Sequence, residues 1–458
     1  MGDDGSRAWT GGSPRQVQGR DRVPRVRVVH VIPSAGAAYR LHVGLRRLGT
    51  DSRMFVLESR IDDPYATTFL PPGDLFSRVR RRLRRGQLSR SMARYRSTRP
   101  AGYGWFFDDR SIHGGAMLDQ LPPCDLVHLH ATAGFVDYRA FFASVPRRVP
   151  VVRTLHDMAF FTGGCHHDWG CGKYTARCGA CPQLGSHAEE DLSRQIWRRK
   201  HAALGVVPPG RLYCVTPSRW LAETAKRSAL LRDVPISVIP LGVDTEQFRP
   251  RDRRAARDIL GVPQDALAVL FLSDPIDRAE KGFVLLAQAL DALGRQANIL
   301  LVSVGGGALP CKISTPHLRL ERIHHERMLS MIYSAADLCV IPSVQDNFPY
   351  VALESLACGT PVVAFAVGGL PESVRPGITG RLVPPRDAGA LGAAIRELLE
   401  QPAQRMEMGA QGRRVAVEEY ALELQAQRYL ALYETILGAA RKEEAPAEEA
   451  RPAAGVAP

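Results

Sequence analysis

The sequence has no run of about 18 to 20 apolar residues, which is the length that a helix needs to cross a lipid bilayer. Its first residues lack the apolar core of a secretory signal peptide. Zinc-finger, helix-turn-helix and aromatic RNA-binding signatures are missing as well, so we expect no nucleic-acid partner in spite of a net charge of +13. Together these absences predict a cytoplasmic protein.

Internal repeats of about 20 to 50 residues are also absent, so a repeat architecture is not expected. The 458 residues are too many for one ordinary core, and two domains of about 200 residues each are the natural expectation. A hydrophobic fraction of 45% and a charged fraction of 23% are typical of a globular protein. We expect disorder only at the ends, over residues 1–23 and 441–458.

Apolar, strand-like runs alternate with helical patterns along the chain, which is typical of an α/β fold with parallel sheets. One series starts at Val26 and a second near Leu267, so we expect two Rossmann-like domains. The expected segments are an N-terminal domain at 24–240 with a Cys-rich insertion at 163–184, a C-terminal domain at 241–416, and an amphipathic helix at 417–440 that crosses back to the first domain.

Much of the excess positive charge lies between Arg78 and Arg99. Such a segment is typical of a solvated, Arg-rich helix or loop. It is equally typical of a surface that contacts anionic lipid headgroups or a phosphorylated acceptor, because each basic residue near a membrane contributes about 1 kcal/mol. The second interpretation predicts a protein that is peripheral on the inner face of the cell membrane.

An acidic pair, Asp346 and Glu354, precedes an apolar helix and a Gly-Thr-Pro-Val-Val strand. In isolation this spacing is also typical of a helix cap and a surface residue. The whole stretch, residues 343–374, resembles the donor-binding signature of the retaining GT-B glycosyltransferases of family four. Family members more often carry Glu at the first position, so Asp346 shortens the reach towards the donor sugar by one methylene.

The resemblance assigns a role to each part of this stretch. It implies that Glu354 accepts hydrogen bonds from the ribose hydroxyls and that Asp346 contacts the transferred sugar. The residues between them lead into a helix whose first amides and dipole face the diphosphate: Asn347, Phe348, Pro349, Tyr350 and Val351. Such a donor site needs no metal cofactor for catalysis.

The resemblance extends to a loop that opens the helix after the strand at 267–273. It implies that Lys281, with Arg278 beside it, neutralises the leaving nucleoside diphosphate. Gly306 belongs to a glycine cluster at a strand end, where the backbone turns sharply or approaches a ligand closely. This cluster lacks the GxGxxG spacing of a nicotinamide-binding fold, which excludes a dehydrogenase.

Two further donor contacts follow from the same resemblance. Residues 322–324 stand where family members seat the nucleobase, which assigns His324 to that contact. Gly36, in the loop at 33–40, would pass near the donor phosphate; a plain strand-to-helix turn is the alternative interpretation.

His156 and Asp157 directly follow a buried strand in the first half of the chain. The surrounding segment, residues 153–184, resembles a subgroup of the family that is linked to export polysaccharides such as colanic acid. This resemblance implies that His156, with Asp157 beside it, reaches the donor sugar and the reaction centre, although a hydrogen-bonded core pair is the alternative. Residues 128–135, which include His128 and His130, match the acceptor-side loop of the family.

Four of the nine cysteines cluster in this segment: Cys165, Cys171, Cys178 and Cys181. Four thiolates in a reducing compartment suit a closed, tetrahedral, structural Zn²⁺ site. Alternatively His166 or His167 replaces one thiolate, the cysteines are simply reduced thiols, or they have a redox or disulfide role.

These features predict a GT-B glycosyltransferase that moves a sugar from a nucleotide-diphosphate sugar to a glycan, lipid-linked or small-molecule acceptor. The resemblance implies retention of the anomeric configuration and a role in cell-surface polysaccharide biosynthesis. Two alternatives remain at this stage: a non-catalytic GT-B scaffold that partners an active transferase, and a sugar-nucleotide 2-epimerase.

Overall fold

The computed structural model describes residues 26–34, 36–58, 62–294 and 298–449, with side chains as far as residue 441. The disorder expected at residues 1–23 lies outside this part of the chain. None of the helices in the described ranges is both long and apolar enough to span a membrane.

The first half of the chain forms a seven-stranded parallel sheet in the order β3-β2-β1-β4-β5-β6-β7. Its strands are β1 (Arg27–Ile32), β2 (Asp51–Val56), β3 (Ala66–Thr68), β4 (Leu126–Leu129), β5 (Val151–Thr154), β6 (Leu212–Thr216) and β7 (Ile236–Val238). The helices of this half are α1 (Ala37–Arg47), α2 (Leu75–Ala93), α3 (Tyr138–Ser144), α4 (Leu192–Gly205) and α5 (Arg219–Lys226). The central strands are buried on both faces, as expected for a parallel sheet covered by helices.

The second half forms a six-stranded parallel sheet in the order β10-β9-β8-β11-β12-β13. Its strands are β8 (Leu267–Leu272), β9 (Ile299–Val304), β10 (His317–Leu320), β11 (Leu338–Ile341), β12 (Val362–Phe365) and β13 (Gly380–Val383). The helices are α6 (Arg253–Leu260), α7 (Phe283–Leu293), α8 (Glu326–Ala335), α9 (Tyr350–Ala357), α10 (Leu370–Ser373), α11 (Ala388–Glu400) and α12 (Pro402–Glu419).

The last helix, α13 (Leu422–Glu449), returns to the first sheet. Its Tyr429 and Tyr433 are buried in one apolar cluster with Val28 of β1 and Leu126 of β4. This position makes the C-terminal helix part of the core of the first half.

Two features of this end of the chain differ from the sequence-based expectation. The single helix expected at 417–440 is divided between α12 and α13, because the backbone of Val243 forms hydrogen bonds with Tyr420 and Leu422 at the break. In addition, α13 continues to Glu449, although we expected disorder over residues 441–458; residues 450–458 lie outside the described part of the chain. Lys, Glu and Ala, which dominate that stretch, have high helix propensity.

The two sheets face each other across a cleft. Loops that follow strands β5 and β11 meet there: Asn347 Nδ2, after β11, donates a hydrogen bond of 2.7 Å to the carbonyl oxygen of His156, after β5. Open parallel sheets bind ligands beyond the carboxyl ends of their strands, so a ligand-binding site is expected in this cleft.

Candidate active site

The acidic residue of the loop between β11 and α9 is paired with a lysine. Asp346 Oδ2 lies 2.6 Å from Lys281 Nζ and accepts a hydrogen bond of 3.1 Å from Ser343 Oγ. Asp346 is buried, whereas the Lys281 side chain keeps 23% of its surface exposed. The sequence-based prediction placed both residues at the donor, and the structure brings them into direct contact.

Both carboxylate oxygens of Glu354 already have protein partners. Oε1 lies 2.7 Å from Arg40 Nη2 of α1, and Oε2 accepts a hydrogen bond of 2.9 Å from the hydroxyl of Tyr333. Sequence reasoning missed both partners. Arg40 stands 314 residues away from Glu354, and no local pattern marks a contact over that separation.

Arg40 is held on several sides at this junction between the two halves. Its guanidinium also lies 3.0 Å from Glu326 Oε1, and its Cζ lies 4.3 Å from the centre of the Tyr350 ring. Burial alone would lower the pKa of Arg40, but the carboxylates of Glu354 and Glu326 raise this pKa above its ordinary value. Arg40 therefore stays charged and couples α1 to α8 and α9.

The residues between Asp346 and Glu354 divide into two groups. The Phe348 side chain is buried in the core of the second half, with its ring 5.9 Å from that of Tyr420. The donor contact predicted for Phe348 involves the backbone at the start of the helix and stays a prediction, whereas the ring itself belongs to the apolar core. Asn347 faces the opposite way, and its Oδ1 is buried without a hydrogen-bond partner among the described residues.

Helix α9 begins at the cleft without a capping side chain. Pro349 is the N-cap residue, and no side chain accepts a hydrogen bond there. Since the first amide bonded within the turn is that of Ala352, the amides of Tyr350 and Val351 are not used by the turn itself. Uncapped first-turn amides and the helix dipole are suited to bind an anion.

The other donor residues predicted from sequence are less free than expected. Arg278 donates a hydrogen bond of 2.8 Å from Nε to Glu280 Oε1, and its Cζ lies 4.6 Å from the centre of the Trp105 ring in the first half. The amide of Gly306 donates to Asp274 Oδ1 at 3.2 Å. Arg278, which was expected to face the diphosphate, is thus paired with Glu280, and the amide of Gly306 already has a partner.

Two predicted donor residues lie at open positions. His324 is exposed. Gly36 is the N-cap of α1 with φ 134°, a backbone conformation that favours glycine, and no atom lies within 4 Å of the place of a Cβ. Neither position contradicts the predicted contact.

Three histidines form a hydrogen-bonded chain on the other side of the cleft. His130 Nε2 lies 3.0 Å from His30 Nδ1, and His130 Nδ1 lies 3.1 Å from His156 Nε2. Burial lowers the pKa of each ring, to about 4 for His156. All three imidazoles are therefore neutral near pH 7, each with one donor and one acceptor nitrogen.

The chain couples the tautomers of these rings. His30 Nε2 is buried without a hydrogen-bond partner among the described residues. An unpaired buried N–H is less tolerated than an unpaired acceptor, so the proton of His30 belongs on Nδ1, from which it is donated to His130. His130 in turn donates from Nδ1 to His156 Nε2. This arrangement leaves His156 protonated on Nδ1.

His30, His128 and His130 are also the one group of three or more metal-ligand side chains, within the described ranges, whose ligand atoms all lie within 4.8 Å of one another. The nitrogens of His128 are bonded to the hydroxyls of Tyr433 at 2.6 Å and Thr154 at 2.7 Å. Since hydrogen bonds already use five of the six ring nitrogens, we interpret this group as a structural network.

Asp157 caps the turn that follows it. Its Oδ1 accepts a hydrogen bond of 2.7 Å from the amide of Ala159, and its Oδ2 lies 3.8 Å from His166 Nε2. His166 belongs to the Cys-rich segment, whose four cysteines line one small cavity. This segment therefore forms part of the first-half wall of the cleft.

Comparison with known proteins shows which part of the chain resembles a known family. Residues 266–401 match the family model described as glycosyl transferases group 1, and this range contains Lys281, Asp346 and Glu354. D-inositol 3-phosphate glycosyltransferase 2 of Catenulispora acidiphila is 36% identical over 191 residues, which cover 38% of this chain and 44% of that protein. The D-inositol 3-phosphate glycosyltransferase of Geodermatophilus obscurus is 38% identical over 179 residues, covering 35% and 40%. The chain thus spans less than half the length of these curated relatives.

Solved structures resemble almost the whole chain. Sucrose-phosphate synthase from Thermosynechococcus elongatus superposes with a TM-score of 0.63 and 23% identity, over 91% of this chain and 100% of that one. Anabaena HepE in complex with UDP and glucose gives a TM-score of 0.59 and 16% identity, over 90% and 100%. These similarities confirm the predicted GT-B fold of two Rossmann-like domains around a cleft.

Proposed function

We propose that the protein is a retaining glycosyltransferase that uses a nucleotide-diphosphate sugar. The observation that carries this proposal is the convergence of Lys281, Asp346, Glu354 and the uncapped start of α9 at one edge of the second sheet, opposite His156. The match of residues 266–401 to group 1 glycosyltransferases supports it. So does the binding of UDP by a protein with the same fold.

The leaving diphosphate would be stabilised by this chain's own groups. The Lys281 ammonium and the first amides of α9 place positive charge where negative charge develops, which is the largest single term in many enzymes. Until a donor arrives, Asp346 holds Lys281 in position at 2.6 Å. Because the diphosphate charge is met in this way, the proposed mechanism routes no step through a metal ion.

Glu354 keeps capacity for the ribose despite its two partners. A carboxylate offers about four lone-pair sites, of which Arg40 and Tyr333 use two. The remaining two suit a pair of vicinal hydroxyls. Arg40 and Tyr333 would then fix the carboxylate in the orientation that the ribose needs.

The first half would supply the sugar and acceptor contacts. With its proton on Nδ1, His156 is prepared to donate a hydrogen bond to a sugar or acceptor oxygen. Asp157 is engaged by the amide of Ala159 and by His166, which argues against a role as an enzymatic nucleophile. Attack by the acceptor on the face that the diphosphate leaves would retain the anomeric configuration.

We propose a lipid-linked or other cell-surface glycan intermediate as the acceptor, because α2 has the features of a membrane-binding helix. None of its residues is buried. Leu75, Phe76, Val79 and Leu83 recur at helical spacing along its outer side and are 76%, 75%, 49% and 67% exposed; we call them the α2 apolar stripe. The names of the curated relatives suggest D-inositol 3-phosphate as a second acceptor to assay.

The charge beside the α2 apolar stripe fits an anionic lipid surface. Arg78, Arg82 and Arg85 are exposed, whereas Arg84 turns inward and lies 2.5 Å from Asp137. Exposed apolar residues flanked by arginine are typical of helices that lie in the membrane interface. The Arg-rich segment would thus hold the cleft near a lipid-linked acceptor.

The direct test of the donor site is a thermal-shift titration with UDP, GDP, dTDP and CMP. A ligand that binds the folded state raises the melting temperature. We expect one nucleoside diphosphate to do so for the wild type and for Glu397→Gln, a surface control in the same domain, but not for Glu354→Ala. If no nucleotide shifts the wild type, the non-catalytic scaffold becomes the better account. Conversion of a UDP-sugar with no acceptor present would instead indicate a 2-epimerase.

A further inference from the structure

The four cysteines of the segment at 163–184 come together although the segment has little regular structure. Only two short 3₁₀ turns, Lys173–Thr175 and Pro182–Leu184, occur within it. Its four thiols line one cavity of about 20 Å³, with room for little more than one sphere of the size of a water molecule. The lining contains neither His166 nor His167, so the structure favours four sulfur atoms over a mixed set.

Backbone amides point at the sulfur atoms. The amide of Gly163 donates to Cys178 Sγ at 3.1 Å. Burial raises the pKa of Cys181, and the nearby backbone amides of Gln183 and Leu184 oppose that rise. Hydrogen bonds from N–H groups stabilise a thiolate more than a neutral thiol. Burial nevertheless raises the pKa of Cys165, and that of Cys178 to about 12, so a bound cation would be needed to hold these sulfur atoms as thiolates.

A buried ammonium group stands beside the same sulfur atoms. Lys200 is 3% exposed, and its Nζ donates hydrogen bonds to the carbonyl oxygens of Ala159 and Thr162. Its strongest electrostatic partner is Asp109, followed by Cys178 and Cys165. A buried cation is costly unless it has a counter-charge. Four thiolates around one divalent cation carry a net charge of −2, which would add to the counter-charge that Asp109 supplies.

Glycines make the close packing of this loop possible. A Cβ on Gly163 would lie 2.7 Å from the Cβ of Cys178. Gly179 has φ 145°, and a Cβ there would lie 2.5 Å from the carbonyl oxygen of Glu189. Lys173 Nζ closes the turn from outside by donating to the carbonyl oxygens of Gly179 and Ala180 at 3.1 and 2.7 Å.

We propose that Cys165, Cys171, Cys178 and Cys181 bind one structural Zn²⁺ in tetrahedral geometry. With Zn–S bonds of about 2.3 Å the sulfur atoms would lie about 3.8 Å apart. In the structure, no three of these four thiols have sulfur atoms within 4.8 Å of one another. Zinc binding would therefore require the cysteine side chains to rotate towards the cavity that they share. Binding releases the four thiol protons to solvent as the Zn–S bonds form.

The zinc site would order one wall of the cleft. His166 follows Cys165 directly and lies 3.8 Å from Asp157. Trp169, from the same segment, packs against Tyr103 and lies 5.9 Å below the guanidinium of Arg386 in the second half. Loss of zinc would therefore loosen the acceptor side of the cleft and leave the donor-binding half unchanged.

Elemental analysis of the full chain purified under reducing conditions tests the site. We expect about one zinc per chain in the wild type and in Cys124→Ser, a control cysteine outside the cavity. Cys178→Ser and Cys181→Ser should lose most of the metal. Absence of zinc from the wild type, or equal zinc in all variants, would overturn the proposal.

A second measurement keeps the test decisive if these variants fail to fold. Wild-type protein in which Co²⁺ replaces the metal should show the strong thiolate-to-cobalt charge-transfer absorption and the visible bands of a tetrahedral site. In the untreated protein, alkylation should reach these four cysteines only after a chelator is added. Cobalt spectra without thiolate bands, or a mass that shows disulfides among the four cysteines, would refute zinc binding. Neither readout depends on sugar transfer, so failure here is distinct from failure of the proposed function.

Discussion

Arg40 of α1 and Glu354 of α9 form a 2.7 Å ion pair that joins the two halves of the molecule across the cleft. The Arg40 and Glu354 side chains are only 18% and 7% exposed, so solvent screens this pair weakly. The carboxylate of Glu354 is also the group proposed to accept hydrogen bonds from the ribose hydroxyls of the donor. The proposed ribose contact would therefore link donor binding to the relative position of the two domains through one side chain.

Replacing Arg40 tests this link. We expect Arg40→Gln to lower the free energy of unfolding by about 3 kcal/mol, because it leaves Glu354 buried without its cationic partner. Arg47→Gln is the matched control: Arg47 also contacts residues beyond the first sheet, Asp244 and Glu423, but its side chain is 43% exposed, and the expected loss is below about 1 kcal/mol. Urea denaturation measures both. Equal losses of unfolding free energy in the two variants would show that the buried ion pair stabilises the fold no more than the exposed one.

Lys281 should matter more for turnover than Arg278. Lys281→Ala removes the ammonium group nearest to the proposed diphosphate, and we expect kcat/KM to fall by about 100-fold to 1,000-fold. Arg278 is engaged by Glu280 and Trp105, so Arg278→Ala should cost about tenfold or less. Steady-state kinetics with the donor identified by thermal shift measures the two values. The reverse order would move the diphosphate site towards Arg278.

The buried histidines predict how stability depends on pH. Burial holds the pKa of His30, His128 and His130 well below 6.5 in the folded state. The unfolded chain takes up protons at these residues below about pH 6.5 and the folded protein does not, so stability is fully present above that pH and falls as the pH drops. Each ring contributes a slope of up to about 1.4 kcal/mol per pH unit, and the three together about 4.

Unfolding free energies at pH 7.5, 6.5 and 5.5 measure this slope. His30→Phe should reduce it by about one proton equivalent, because His30 no longer titrates in the unfolded state. His187→Ala, at an exposed histidine, should leave the slope as in the wild type. A wild-type stability that does not change over this range would show that these rings are already protonated in the fold.

The α2 apolar stripe should bind anionic membranes. We expect the wild type to float with vesicles of phosphatidylcholine and phosphatidylglycerol at low salt and to bind less at high salt. Substituting Leu75, Phe76 and Leu83 together by Ser should abolish flotation, whereas Ile259→Ser, at an equally exposed apolar residue of the second half, should not. Binding of the triple variant at the wild-type level would contradict the membrane role.

Periodicity and motif spacing predicted the two parallel sheets, and they also placed Lys281 and Asp346 in the loops that follow strands β8 and β11. Both depend on local pattern: apolar strands followed by loops that carry the functional side chains. The Arg40–Glu354 pair could not be predicted, because it depends on how two domains meet. The break between α12 and α13 depends in the same way on Val243, far away in sequence.

The direction in which side chains point is the second feature that could not be predicted from the sequence. The sequence placed Phe348 among the donor residues, but only the packed core shows that its ring turns inward. In the Arg-rich segment, apolar side chains point outward instead of inward. The sequence predicted the positive charge of this segment, and the structure shows that the apolar residues beside the arginines are exposed.

The most direct test of the central claim is release of nucleoside diphosphate from a panel of nucleotide sugars, with cell-surface glycan intermediates and D-inositol 3-phosphate as acceptors. The account predicts acceptor-dependent release from one donor by the wild type and by Glu397→Gln, loss of release in Glu354→Ala, and a product with the donor's anomeric configuration. Release that is the same in the wild type and in Glu354→Ala, or a product of inverted configuration, would contradict it.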